Sequence, residues 1–338
     1  MVDALHPQST SPARAEQSDG LRYVYVVSSP HGGSTLFSYV MGKHPEVQNL
    51  GEVSFIPKLL ALGEACSCGK PLRECEFWGR ILAEYATVTG VDLRMQPYGV
   101  PLGDAPKAKS GAGLIDLRHQ TRLRYALMKV RGALDTVSVL HAPVGAGLRR
   151  FSLPSVTRGV DNTIALYRTA ARATGARLIV DASKLPRKAA HLYVAAPDRV
   201  RIVHLTRDGR GVVASRKRYM PVSFAAERWN HYHGLATRLL ERWVPAAHRM
   251  RLSYEEFATR PETVLRRVFD WLETDYSEEC LRFGSAAEVH SAGGNPARFE
   301  MGGGIRGVDE RWRSTLTEPE LEEFERRAGA QNRAFGYD

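Results

Sequence analysis

The amino-acid sequence predicts an α/β fold: a P-loop-like, doubly wound parallel sheet flanked by helices, with a mainly helical and loop insertion. Three observations predict it. A short β-branched and aromatic run, Arg22 to Ser29, reads as a buried strand. It leads straight into Pro30-His31-Gly32-Gly33-Ser34-Thr35, after which Leu36 to Lys43 reads as the start of a helix. Further apolar runs recur downstream with helical stretches between them, the pattern of β-α-β units.

The second apolar run, Arg177 to Asp181, comes after a helical stretch near Thr163 to Thr174. The third, Arg201 to Thr206, comes after Lys188 to Ala196, and the fourth, Met250 to Ser253, precedes a helix over Pro261 to Leu272. Between Gly90 and Gly159 the texture changes. Gly99 to Gly113 is rich in Gly, Pro, Lys and Ala and reads as an open loop, and Asp116 to Asp135 has helical spacing. We read 90–159 as an insertion over the sheet, where substrate specificity is expected to sit. Residues 1–20 are polar, carry Pro7 and Pro12, and are expected to form a disordered tail. The remainder, 21–338, is expected to be a single domain without repeats.

Composition narrows the function. With 338 residues, 43% of them hydrophobic, the chain can bury a large core. No uninterrupted run reaches the roughly 18 apolar residues of a membrane span, and the first residues lack the apolar block of a signal peptide. A cytoplasmic protein without stable membrane insertion is expected. The net charge of +10 comes from Arg rather than Lys. Arg grips phosphate, sulfate or carboxylate in a bidentate manner, though compositional bias also produces such a surplus. No basic run is interleaved with aromatics, so no nucleic-acid partner is assigned. Three of the four cysteines, Cys66, Cys68 and Cys75, share one segment. The spacing is C-x-C with no fourth ligand nearby in sequence, so we expect a structural loop with reduced or locally paired thiols and assign no metal.

The strand, glycine turn and helix at the N-terminus make a phosphate cradle. Glycines let the backbone approach an anion, amides at the helix start point at it, and Ser34 and Thr35 add hydroxyl donors. A nucleoside-triphosphatase loop would carry Gly-Lys-Ser/Thr, which is absent from this turn.

Combined with the segments downstream of it, the turn becomes more specific. Ser29-Pro30-His31-Gly32-Gly33-Ser34-Thr35-Leu36, then His44-Pro45-Glu46-Val47, then Gly51-Glu52, resembles the 5′-phosphosulfate loop and catalytic segment of sulfotransferases that use 3′-phosphoadenosine 5′-phosphosulfate (PAPS). The pattern is most similar to the bacterial and tyrosylprotein branches. The resemblance continues through Asp181-Ala182-Ser183-Lys184-Leu185-Pro186 and Leu205-Thr206-Arg207-Asp208-Gly209-Arg210, with Ser215 eight residues after Arg207. It returns at Tyr254-Glu255-Glu256-Phe257, at Gly294-Asn295-Pro296-Ala297-Arg298 and at Arg311-Trp312-Arg313.

The resemblance implies a sulfuryl transfer from PAPS to a hydroxyl acceptor, for which a small metabolite is the leading expectation. Such a transfer resembles phosphoryl transfer, where positioning and charge neutralisation do most of the catalysis. By resemblance Glu52 is the base for the acceptor hydroxyl, and Lys184 stabilises the departing 5′-phosphate. His31 stands where the family usually has Arg or Lys, and is read either as a cation or as a second base. His31, Gly32, Gly33, Ser34 and Thr35 would hold the 5′ end of the nucleotide, and Arg207 and Ser215 the 3′-phosphate. Tyr254, Asn295, Arg298, Arg306, Arg311 and Arg313 are further candidates, the arginines as a C-terminal strap that Gly302-Gly303-Gly304 would let move. Trp312 would pack on adenine or in the core. Asp208 and Arg210 are expected to shape the turn and cap the next helix. Trp229-Asn230-His231-Tyr232-His233 reads as an ordinary helix with one aromatic core residue, with substrate contact as the other reading. Two other readings stay open: a P-loop kinase of small molecules, which a magnesium requirement would favour, and a non-catalytic nucleotide-binding scaffold.

Overall fold

The computed structural model describes residues 20–102, 122–144, 147–284, 289–296, 298–299, 304–305 and 307–338, without the side chains of 122–129 and 131. Residues 1–19 of the expected N-terminal tail, most of the 99–113 loop, Gly302, Gly303 and Arg306 lie outside the described residues.

Five strands, β1 (Arg22–Val27), β2 (Val47–Gly51), β3 (Leu178–Asp181), β4 (Val200–Thr206) and β5 (Arg249–Ser253), form one parallel sheet in the order β2-β3-β1-β4-β5. Helix α1 (Ser34–Met41) joins β1 to β2. Between β2 and β3 come α2 (Ile56–Leu62), α3 (Glu76–Thr89), α4 (Arg122–His141), α5 (Leu148–Phe151) and α6 (Pro154–Thr174). Then α7 (Pro186–Ala195) leads to β4, and α8 (Gly209–Arg216) with α9 (Val222–Trp243) leads to β5. After β5 come α10 (Tyr254–Thr259), α11 (Pro261–Trp271), α12 (Trp312–Thr315), α13 (Glu318–Phe324) and α14 (Ala330–Ala334).

Strand β1 explains why the first run reads as continuously apolar. Tyr23, Tyr25 and Val27 enter one core, with Ile81, Tyr167, Leu192 and Leu239 from α3, α6, α7 and α9. Val24 and Val26 enter the other, with Phe37, Phe257 and Phe269 from α1, α10 and α11. Helices cover both faces, so both side-chain sets are buried, as in parallel sheets generally. A third cluster joins Val212 and Val213 of α8 to Trp229, Trp312 and Phe324.

The four strands read from the sequence are present, and β2 is the addition. Val-Gln-Asn-Leu-Gly is short and polar in its middle, and it lies at the sheet edge, paired in the sheet only with β3. Its geometry comes from tertiary contact: Gly51 has φ 74°, and a Cβ there would lie 2.2 Å from the carbonyl oxygen of Ala292. In the 90–159 block, α4 covers Arg122–His141, so the helical spacing read over Asp116 to Asp135 is helical from Arg122 on and continues to His141, while residues 116–121 lie outside the described residues. It docks on α7 and α9: Trp243 Nε1 donates to the Val139 carbonyl at 2.6 Å, and His191 Nε2 lies 2.9 Å from Asp135.

Candidate active site

The candidate side chains read from the strand ends, Glu52, Lys184 and Arg207, sit at the C-terminal edge of the sheet. Strand order reverses around β1, the position where ligands bind in open parallel sheets. From β1 the chain turns at Gly32, whose N–H donates to the Ser29 carbonyl at 3.0 Å, and enters α1 at Gly33. Gly33 has φ 89°, and a Cβ there would fall 2.4 Å from Cδ2 of Tyr254, so only glycine lets that ring close on the turn. The first N–H of α1 to bond back is that of Phe37, to Gly33, at 3.0 Å. Helix geometry leaves the amides before it without intrahelical carbonyls and aimed out of the turn. Thr35 faces the C-terminal segment, its Oγ1 accepting the Asn295 N–H at 3.1 Å.

Glu52 lies just past β2 and Lys184 just past β3, and their side chains form an ion pair across the edge, each under one-fifth exposed. Both are held by the backbone. The Glu52 N–H donates to the Ala292 carbonyl at 2.7 Å. Lys184 has φ 67°, an uncommon conformation for a residue with a side chain. Its N–H donates to the Val26 carbonyl at 3.2 Å, and the Tyr232 hydroxyl donates to its carbonyl. Buried Asp181 shapes this turn, accepting from the Ser183 N–H at 2.7 Å and from the Tyr167 hydroxyl at 2.5 Å. Burial holds the Asp181 carboxyl above its ordinary pKa. The pair borders a cavity of about 320 Å³ whose wall also contains Ser29, Phe55, Arg216, Arg228, Trp229 and Tyr232.

Arg207, just past β4, is nearly buried. Its Nη1 donates to the His31 carbonyl at 2.8 Å, its Nη2 to Asp309 Oδ2 at 3.0 Å, and its guanidinium lies 4.7 Å from the Tyr254 ring centre. Ser215 occupies the same face of α8 as Gly211, where a Cβ would lie 3.3 Å from the Arg207 guanidinium. Its hydroxyl donates to the Gly211 carbonyl at 2.9 Å. Asp208 caps α8 through the Arg210 N–H at 2.9 Å and pairs with the Arg210 side chain, as the sequence suggested.

His31 has φ 65° and faces several cations. Burial first, then Arg216, Arg207, Arg218 and Lys184, push its imidazole below the usual pKa. The turn therefore lies in a field of fixed positive charge, suited to a polyanion.

The C-terminal candidates divide. Arg298 is buried and braces the backbone, donating to the Gly294 carbonyl at 3.0 Å and to that of Ala65 at 3.3 Å. Arg311 is exposed and holds Asp309 at 2.7 and 2.8 Å, and Arg313 pairs with Glu310. Of its two readings, Trp312 takes the core one: it is buried in the third cluster, with Arg210 and Arg313 over its ring. Sequence reasoning passed over Arg216 and Arg228 and favoured a structural role for the cluster that includes Tyr232, all three of which line the cavity. The aromatic cluster at 229–233 was the available signal, but only the rotation of α9 shows that Trp229 and His233 go inward while Tyr232 meets Lys184.

The three clustered cysteines are reduced, with Cys68 Sγ 3.7 Å from Cys75 Sγ. The fourth ligand type missing from their neighbourhood in sequence is supplied in space by His290, whose Nδ1 lies 3.3 Å from Cys75 Sγ and 3.7 Å from Cys66 Sγ.

Among the described residues, no helix is long and apolar enough to cross a membrane. Residues 153–278 match the family model described as Sulfotransferase family. The stretch runs from α6 to just beyond α11 and contains Lys184, Arg207, Ser215 and Tyr254. No curated protein matches the chain. Among solved structures, the sulfotransferase domain of the Synechococcus PCC 7002 olefin synthase is similar at 18% identity, with 96% of this chain and 98% of that one covered and a TM-score of 0.52. The sulfotransferase domain from the curacin biosynthetic pathway aligns at 16% identity over 94% and 98%, with a TM-score of 0.49. The sulfotransferase STF9 of Mycobacterium avium aligns at 14% over 95% and 78%, with a TM-score of 0.45. The first likeness establishes the fold, and the family match bears out the resemblance read from the sequence.

Proposed function

From the premise of a sulfotransferase match running from α6 past α11, we propose that this chain moves a sulfuryl group from PAPS to the hydroxyl of a small metabolite. One observation carries the reading: the Glu52–Lys184 pair lies at the strand edge, bordering the same cavity as Ser29 and Pro30 of the glycine turn. The residues fit such a donor. Glycines 32 and 33 keep the turn free of side chains, and Arg207, with Arg216, Arg218 and Lys184 around the same turn, supplies charge for phosphates.

PAPS, when bound, supplies the sulfuryl group and a 3′,5′-bisphosphate leaving group. The amides at the start of α1, with Ser34 and Thr35, would hold the 5′ end, while Arg207 and Ser215 would hold the 3′-phosphate. Lys184 would neutralise charge on the departing phosphate, and Glu52 would take the proton of the acceptor hydroxyl. Trp229, Phe55 and Tyr232 give the acceptor an apolar wall that limits water.

Calorimetry with 3′-phosphoadenosine 5′-phosphate (PAP) against adenosine 5′-phosphate, without metal, tests the reading. We expect PAP to bind at least tenfold more tightly. Equal affinities, or magnesium-dependent consumption of ATP in place of PAPS, would overturn it in favour of a kinase.

A further inference from the structure

We propose that Cys66, Cys68, Cys75 and His290 hold a structural zinc ion that fastens the segment carrying Ala292, which holds Glu52, to the 66–75 loop. The four ligand atoms lie within 4.8 Å of one another. A zinc ion with Zn–S of about 2.3 Å and Zn–N of about 2.0–2.1 Å in a tetrahedron requires S···S near 3.8 Å and S···N near 3.6 Å. The measured separations are 3.7 Å for Cys68–Cys75, 3.7 Å for Cys66–His290 and 3.3 Å for Cys75–His290. These are the separations of a common metal centre. The Cys68–Cys75 separation is far above the roughly 2.05 Å of a disulfide, and all three cysteines are free.

The surroundings support a built centre. The C-x-C turn is tied by the Gly69 N–H to the Cys66 carbonyl at 2.9 Å, and the Ser67 N–H reaches the Ser291 carbonyl at 3.1 Å. The Ser291 N–H returns to Ser67 Oγ at 2.9 Å. The His290 ring stacks on Phe77 at 4.9 Å with an interplanar angle of 8°, which orients its Nδ1 toward the thiols. Cys66 and Cys75 are buried and Cys68 is partly exposed, leaving a route for the ion. Three thiolates and one imidazole in a tetrahedron select zinc over the harder divalent ions. With all four positions taken by protein, the centre is structural rather than catalytic.

Its position gives it a consequence. Two residues after His290, the Ala292 N–H donates to the Leu50 carbonyl at 3.1 Å and its carbonyl accepts from the Glu52 N–H at 2.7 Å. Three residues further, Asn295 holds Thr35. The ion would therefore anchor one end of a strap that positions Glu52 and the glycine turn.

The test is elemental analysis of the full-length protein purified without chelator. We expect one zinc per chain, a thiolate-to-cobalt charge-transfer band after cobalt replaces it, and at least a tenfold loss of metal occupancy in Cys68→Ser. Cys280→Ala, which removes the cysteine outside the cluster, should keep the full complement. Wild-type protein that carries no zinc and takes none up would overturn the proposal. So would iron at the site, or a Cys68–Cys75 disulfide found by mass spectrometry. The wild-type measurements stand even if Cys68→Ser fails to fold.

Discussion

The guanidinium of Arg207 is shared between the carbonyl of His31, at 2.8 Å, and the carboxylate of Asp309, at 3.0 Å. Arg311 grips both oxygens of that carboxylate, sharing Oδ2 with Arg207, and Arg311 first, with Arg207, keeps the Asp309 carboxyl well below the usual range. An acid of the C-terminal segment thus takes hydrogen bonds of Arg207 that, in the proposed function, a 3′-phosphate would take. Arg207 is pre-oriented and its charge is partly neutralised until an anion arrives.

Arg207→Ala should weaken PAP binding by about 2–3 kcal/mol, the upper range for a charge-assisted hydrogen bond. Affinity for adenosine 5′-phosphate should barely move. Calorimetry on both ligands measures this, and equal losses would place the 3′-phosphate elsewhere.

Asp309→Asn removes the competing charge while keeping the side-chain shape. PAP should bind up to about tenfold more tightly, or ~1.4 kcal/mol. Weaker binding by this variant would mean that Asp309 holds Arg207 in place rather than competing for it.

Glu52→Gln should leave PAP affinity intact and lower turnover by about 10²–10⁴-fold, the usual worth of general-base catalysis. Steady-state rates with a surrogate hydroxyl acceptor provide the measurement. Wild-type turnover in this variant would remove Glu52 from the mechanism and point to His31.

His31 is depressed in the free protein by burial and by Arg216, Arg207, Arg218 and Lys184, so it is neutral near pH 7. A bound bisphosphate favours imidazolium and raises the pKa in the complex. PAP binding should therefore take up protons, and its affinity should rise as pH falls through the pKa of the complex toward that of the free protein. His31→Arg should abolish this uptake and flatten the decline of activity at alkaline pH, because guanidinium stays charged. Calorimetry in buffers of different ionisation enthalpy reads the protons. If activity collapses in this variant while PAP still binds, His31 is a base.

His204 and His233 are buried beside one another, Nε2 to Nδ1, at 3.0 Å. Burial lowers His204 to about 4, and burial with the neighbouring His204 holds His233 well below its ordinary value. The unfolded chain takes up protons near pH 6.5 and the native pair does not, so stability is lost as pH falls below 6.5. For His204 alone the loss reaches about 3 kcal/mol near pH 4. Urea unfolding between pH 7 and pH 4 should show a shallower decline for His204→Gln than for wild type. Parallel declines would mean that the pair does not govern acid sensitivity.

The sequence by itself determined the strand–turn–helix at the N-terminus, three further strands and most of the helices between them. Each of those signals is local: apolar periodicity, glycine at a turn, and Asp208 as the cap of α8. The motif order also brought Glu52, Lys184 and Arg207 to the strand ends, because successive parallel strands deliver their C-termini to one edge. Only the tertiary structure decided what those residues meet there. Strand β2 exists through pairing with β3 and the approach of Ala292 to Gly51, which no five-residue window contains. Asp309 reaches Arg207 across 102 residues, and His290 reaches Cys75 across 215. Contacts of that span depend on how helices pack over the sheet, and the pattern of residues along the chain does not encode a distance between segments so far apart.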